Sequence, residues 1–321
     1  MLQRVYGNAS RAAVMRRLAA GVGFAAIAAA VALHGANGQL EPKLPRITGI
    51  DHVRVYVSDM AKSRAFYSGA LGLPADGAIC AGDTRACFAV NAEQYVELEP
   101  VPSPAPRSWL AEIAFATDEA GDLRRYLADR GMNVGQVDTD SHRVSHFDML
   151  DPEGSRISIS FVQRRQPAAP FKASAKQIST RILHAGFVVN DLNVENKFYR
   201  RALGFRPYWY GGFKDKDIDW YEIQVPDGGD WIEYMLNIPA NADHKELGVQ
   251  NHFSLGVKDV GVAADQLKKQ GLKTFDGPEV GRDGKNSLDA YDPDGTRVEV
   301  MEFTPRRTPC CHAYEAAHPS P

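Results

Sequence analysis

Apolar and polar residues alternate from Ile50 to Val57: Val53, Val55 and Val57 point one way, and His52, Arg54 and Tyr56 the other. A period of two with unlike faces predicts a strand. Asp59 then opens a stretch of helical spacing with Phe66 and Tyr67 on its apolar side, which stops at Leu71-Gly72. An Asp start and a Gly stop are helix boundary signals. The same strand, helix and stop recur from Arg181 to Gly204. His184 falls over His52, Asp191 over Asp59, Phe198-Tyr199 over Phe66-Tyr67 and Gly204 over Gly72, all at an offset of 132.

A second pair of β-α starts follows the first. "AEIAFATDEAGDLRRYLADRGM" from Ala111 matches "NHFSLGVKDVGVAADQLKKQGL" from Asn251 at an offset of 140, and the turn Asp151–Gly154 matches Asp292–Gly295 at 141. The pattern predicts an α+β fold of four β-α-β-β-β units, two in residues 48–164 and two in 181–304. A single unit leaves one sheet face bare, so units pair. Residues 165–180 are polar and rich in Pro and Ala and predict a linker; 305–321 predict a disordered tail.

The N-terminus breaks the pattern. Arg11, Arg16 and Arg17 precede an apolar run, Leu18 to Leu33, with small residues Ala36 and Gly38 after it. This describes an export signal over 1–38, with a retained membrane anchor as the alternative. Arg16-Arg17 also suggests twin-arginine export of a folded chain. Once cleaved, the protein has no membrane segment.

Composition narrows the partner. Hydrophobic residues make up 44% of the chain, enough for two cored domains, and a net charge of -3 excludes a nucleic-acid surface. A small molecule remains. Cys80 and Cys87 bracket a short loop and either form a disulfide or stay as separate thiols, while Cys310, Cys311 and His312 lie in the polar tail. Oligomeric state is open between monomer and homodimer.

The repeat and its polar positions resemble the vicinal oxygen chelate superfamily, which includes glyoxalase I, methylmalonyl-CoA epimerase, extradiol dioxygenases and bleomycin resistance proteins. The resemblance implies paired modules that hold one divalent metal: iron(II), zinc, nickel, cobalt or manganese. It carries over to His184 in "LHAGFVV", Glu233 in "DWIEYML", His252 in "NHFSLGV" and Glu299 in "GTRVEVMEF". A carboxylate on the polar face of such a strand is costly unless a cation meets it. The first half keeps His52 and Glu97, but Glu112 replaces the second His and Ser158 the last Glu. If modules pair across the halves, His52 and Glu97 join His252 and Glu299 instead.

The resemblance implies a glyoxalase- or epimerase-type lyase or isomerase acting on vicinal oxygens, with Glu233 or Glu299 as base. Extradiol ring cleavage is an alternative, although no His lies between Val280 and Glu299 and Asp289 falls at the position of the family's Tyr. A non-catalytic small-molecule binding protein is another. The cluster Tyr208, Trp209, Tyr210, Trp220, Tyr221 and Trp231 is either core or the lining for an aromatic ligand. His142, His146 and His244 read as solvated.

Overall fold

The computed structural model describes residues 43–321 apart from 78, 81–83, 141–142, 155–156 and 165–170. The expected export signal, His142 and the first six residues of the expected linker lie outside the described residues. Among those described, no helix is long and apolar enough to cross a membrane. Pro42 to Pro321 form one compact unit.

Each half builds its own mixed sheet. The first runs β2-β3-β1-β4-β7-β6-β5, from β1 (Ile47–Val57), β2 (Ala86–Ala89), β3 (Tyr95–Pro100), β4 (Leu110–Thr117), β5 (Asp138–Thr139), β6 (Ser145–Leu150) and β7 (Ser158–Gln163). The second runs β13-β14-β15-β12-β8-β11-β10-β9. Its strands are β8 (Ile182–Val188), β9 (Arg206–Gly211), β10 (Trp220–Gln224), β11 (Trp231–Met235), β12 (His252–Val257), β13 (Asp276–Val280), β14 (Asn286–Tyr291) and β15 (Arg297–Glu302). In both, the opening strands of the two modules pair antiparallel, β1 with β4 and β8 with β12. Modules therefore pair within a half, and the crossed scheme does not form.

The predicted starts appear where the pattern places them. Asp59 caps a short helix by accepting from the amides of Ala61 and Lys62, and Asp191 does the same for Asn193 and Val194. Both helices continue as a π-helical turn and stop at Gly72 (φ 70°) and Gly204 (φ 75°), a left-handed conformation that suits glycine. At Gly72 a side chain would also meet the carbonyl of Lys176. Among the described residues the first module departs from the plan, its second strand being reduced to a single bridge between Ala75 and Phe88.

One apolar core serves both sheets. It takes Val53, Val55, Phe88 and Phe115 from the first half and Phe187, Tyr234, Phe253, Val298 and Val300 from the second. Buried polar groups tie the halves as well. Gln94 donates to the carbonyls of Ile50 and Ile182, and Asp230 accepts from the amide of Ile50. The two domains of the sequence are two sheets on a common core.

Residues 305–321 correct the expectation of a disordered tail: they lie as a strap on the second sheet. Cys310 donates its amide to the carbonyl of Arg282, Glu315 to that of Tyr208, and Trp209 Nε1 to that of His312. Tyr314 packs on Tyr208, and His318 hydrogen-bonds the Tyr208 hydroxyl at 2.7 Å. The tail is polar in composition, but its few aromatic rings and its backbone groups find partners on β9 and β10. Cys80–Cys87 and Cys310–Cys311 are both disulfides.

Candidate metal centre

Alternation along four strands sends the candidate ligands to one place. Ala185, Phe187, Ile232, Tyr234, Phe253, Leu255, Val298 and Val300 enter the shared core, so their neighbours His184, Glu233, His252 and Glu299 occupy the opposite face. Ladder register brings them level. Ser254 lies opposite both His184 and Glu299, and Gly186 lies opposite both His252 and Glu233.

The four side chains converge. The Nε2 atoms of His184 and His252 are 3.1 Å apart. Glu299 Oε2 is 3.2 Å from His184 Nε2, and Glu233 Oε2 lies 3.3 Å from His252 Nε2 and 3.8 Å from His184 Nε2. Ligand atoms of His184, His252 and Glu299 all fall within 4.8 Å of one another. Both imidazoles are buried, as is Glu299. His252 Nδ1 lies 3.0 Å from the carbonyl of Gln250, which favours a proton on Nδ1 and a lone pair on Nε2, and one guanidinium nitrogen of Arg297 lies 2.9 Å from Nδ1 and 2.8 Å from Nε2. Two nitrogens and two carboxylate oxygens facing one small volume fit a divalent transition metal.

Glycine makes room for this. A Cβ at Gly186 would stand 2.1 Å from Cε1 and 2.5 Å from Nδ1 of His252, so the imidazole can occupy its place only over a residue with no side chain.

The balance of charge and burial favours the deprotonated forms of His252, Glu299 and Glu233. Burial and the Arg297 guanidinium push the pKa of His252 down to about 4. Burial opposes ionisation of Glu299, but the hydrogen bond and charge of His184, with Arg297, outweigh it and bring it to about 2. Glu233 also lies below the ordinary carboxylate value, because contacts from His252 and His184 overcome burial. Asp289, opposite Glu299, is pushed the other way, up to about 6, by burial and by the Glu299 charge, against the pull of Arg297.

Lys285, which the sequence did not single out, is fully buried on this sheet. Its Nζ lies 4.0 Å from the centre of the Trp231 ring, 4.9 Å from that of Tyr208 and 5.2 Å from that of Tyr314. It donates to the Tyr208 hydroxyl at 3.2 Å. Trp231 in turn packs on His184 at 4.8 Å. Of the aromatic cluster, Tyr208 and Trp231 thus build this box, while Tyr221 packs against Tyr234 and Tyr210 stacks on His312.

The first sheet keeps the outline of the site and changes its contents. His52 and Glu97 are buried beside Glu112 and lie with it, not with His252 and Glu299. Arg54 occupies the register position of Gly186, and Glu112 that of His252. Its guanidinium touches Glu112 and reaches Glu97 at 3.1 Å. The counterpart of Glu299 is Ser160 rather than Ser158: Ser160 lies opposite Ala114 as Glu299 lies opposite Ser254. The cause is the turn, which closes from Asp151 to Ile157 in the first half but from Asp292 to Thr296 in the second. Ser160 hydrogen-bonds Glu112. Of the remaining histidines, His146 is half-buried on β6, and exposed His244 rests on Trp109.

The sequence model of the Glyoxalase/Bleomycin resistance protein/Dioxygenase superfamily matches residues 49–159 and 181–300. No curated protein sequence matches the chain significantly. Solved structures do. A variant of homoprotocatechuate 2,3-dioxygenase from B. fuscum superposes with a TM-score of 0.62 at 18% identity, over 86% of this chain and 74% of that one. The anaerobic complex of the Brevibacterium fuscum enzyme with 3,4-dihydroxyphenylacetate gives 0.61 at 18% over 83% of each chain. Homoprotocatechuate 2,3-dioxygenase from Arthrobacter globiformis gives 0.61 at 18% over 82% of each. At this identity the likeness establishes the fold.

Proposed function

The chain belongs to the Glyoxalase/Bleomycin resistance protein/Dioxygenase superfamily, and from that premise we propose that it is a divalent-metal isomerase or lyase that moves a proton on a small molecule with two adjacent oxygens. The observation that carries this reading is the convergence of two imidazole nitrogens and two carboxylates, His184, His252, Glu299 and Glu233, on one buried point. A bound metal supplies Lewis acidity to the two substrate oxygens.

The chain's own residues do the rest. His184, His252 and Glu299 hold the metal. Glu233 is ionised at neutral pH, and its carboxylate would accept the proton from the hydroxyl-bearing carbon beside the substrate carbonyl and return it to the former carbonyl carbon, while the hydroxyl proton passes to the former carbonyl oxygen. Arg297, whose guanidinium lies 2.9 Å from His252 Nδ1, places a fixed positive charge beside the oxygens as they gain charge. The buried setting of both imidazoles limits competing water.

Proton exchange tests this. The metal-loaded chain in deuterium oxide, offered 2-hydroxy carbonyl compounds and the hydrates or thiol adducts of 2-oxoaldehydes, should wash deuterium into the hydroxyl-bearing carbon next to the carbonyl, and Glu233→Gln should stop it. Metal-loaded protein that exchanges no such proton contradicts the proposal.

Ring cleavage of a catechol is the second reading, favoured by the tight set of two His and one Glu and by the shared fold of the dioxygenases. Oxygen uptake with 3,4-dihydroxyphenylacetate and iron(II) would support it. We also propose that the chain works in an oxidising compartment, which its two disulfides support.

A further inference from the structure

The first sheet contains the parts of a metal site around an arginine. His52 Nδ1 lies 2.8 Å from Asp51 Oδ1, and Asp51 is itself gripped by Arg164 at 2.6 and 2.7 Å. A carboxylate on one imidazole nitrogen fixes the tautomer and turns a bare lone pair outward on the other, as it does behind metal-bound histidines. Tyr95 stacks on the ring at 4.4 Å and fixes its plane.

The free nitrogen points at carboxylates. His52 Nε2 is buried without a hydrogen-bond partner, 3.9 Å from Glu97 Oε2 and 3.7 Å from Glu112 Oε1. Glu97 and Glu112 are also buried, and two such anions side by side need a cation. Arg54 is that cation: its guanidinium touches Glu112 and lies 3.1 Å from Glu97 and 3.5 Å from Glu99. Arg85 adds a second contact to Glu97 at 2.8 Å.

We infer that the first sheet is a divalent-metal site whose cation position is filled by Arg54, and that removing this side chain opens it to a metal held by His52, Glu97 and Glu112. Register gives the reason. At the level where the second sheet pairs Gly186 with His252, the first pairs Arg54 with Glu112. In the second sheet the imidazole of His252 lies over Gly186, with Arg297 2.8 Å from its Nε2; in the first the guanidinium of Arg54 itself stands between the carboxylates. Arg54→Gly restores the second sheet's arrangement, with Glu112 in place of an imidazole. One nitrogen and two carboxylates suit cobalt, zinc, manganese or iron(II).

The test is made in the His252→Ala chain, so that the proposed centre of the second sheet does not contribute and the two readings can fail separately. After loading with cobalt(II) and gel filtration, His252→Ala should carry no bound cobalt, and Arg54→Gly in that background about one per chain. Adding His52→Ala should remove it again, and Arg54→Lys, which keeps a cation, should not acquire it. If Arg54→Gly weakens the fold, cobalt should raise its unfolding midpoint and leave that of the His52→Ala version unchanged. An Arg54→Gly chain that binds no more cobalt than its parent overturns the inference. So does one that is destabilised and not rescued by any of the four metals.

Discussion

The Nε2 atoms of His184 and His252 face each other across 3.1 Å, with carboxylate oxygens of Glu299 and Glu233 within 3.8 Å of them. Two imidazole nitrogens in that position share one proton or one metal ion. Burial and Arg297 depress the proton affinity of His252.

Glu233 should separate binding from chemistry. Glu233→Gln leaves His184, His252 and Glu299 in place, so metal content should stay near that of the unaltered chain while proton-transfer turnover falls roughly 10²- to 10⁴-fold. Metal analysis beside the deuterium exchange assay reads both. Equal loss of metal and turnover would make Glu233 a required ligand rather than the base.

Gly186→Ala replaces no ligand yet should damage the centre. The new methyl would sit 2.1 Å from the His252 ring, which has to move. Displacing a ligand should cost about 10- to 100-fold in metal affinity, by analogy with altered support of a ligand, and overpacking about 1–3 kcal/mol of stability. Metal titration and thermal unfolding check it. Unchanged affinity would show that His252 can shift freely.

The strap makes a different prediction. Tyr314 covers Tyr208 and Lys285 and donates to Asp283 at 3.1 Å, but none of its contacts named above is to a metal ligand. Tyr314→Ala should lower stability by roughly 2 kcal/mol and leave metal stoichiometry unchanged. Urea unfolding and elemental analysis of one preparation suffice. Loss of metal would place the strap in the centre itself.

Acid should weaken the metal-free chain in a defined window. His252 titrates near 4 in the folded state against an ordinary 6.5, so between those values the unfolded chain takes up a proton that the folded chain refuses. Stability is therefore full above pH 6.5 and falls as the pH drops toward 4. Glu299, near 2 against an ordinary 4.5, extends the fall to lower pH in the same direction. The urea midpoint should be lower at pH 5 than at pH 7.5, and less pH-dependent in His252→Ala over that range. A midpoint that does not change between pH 7.5 and 5 would contradict the burial of a neutral His252.

Much of this was legible in the sequence because strands and helix caps write themselves locally. Alternation placed His184, His252, Glu233 and Glu299 on faces opposite their apolar neighbours, and Asp59, Asp191, Gly72 and Gly204 marked helix ends. What depends on distant register was not. Ser160 replaced Ser158 because a longer turn slid β7 along β4, and no local pattern reports a slip that keeps the same face. The strap hid behind a polar composition, since its hold comes from backbone bonds and a few rings. Arg54 was visible, at the same offset that aligns His52 with His184, but its meaning needed Gly186 to be seen beneath His252. Lys285 gave no signal, because its aromatic walls come from β9, β11 and the strap.

The most direct test of the account is metal content. Untagged protein should carry about one divalent transition metal per chain by elemental mass spectrometry, and His252→Ala or Glu299→Gln should reduce this to a small fraction. Protein that binds no metal even after loading with iron(II), zinc, cobalt, nickel or manganese, or a His252→Ala chain that keeps its metal, would contradict the centre proposed for the second sheet.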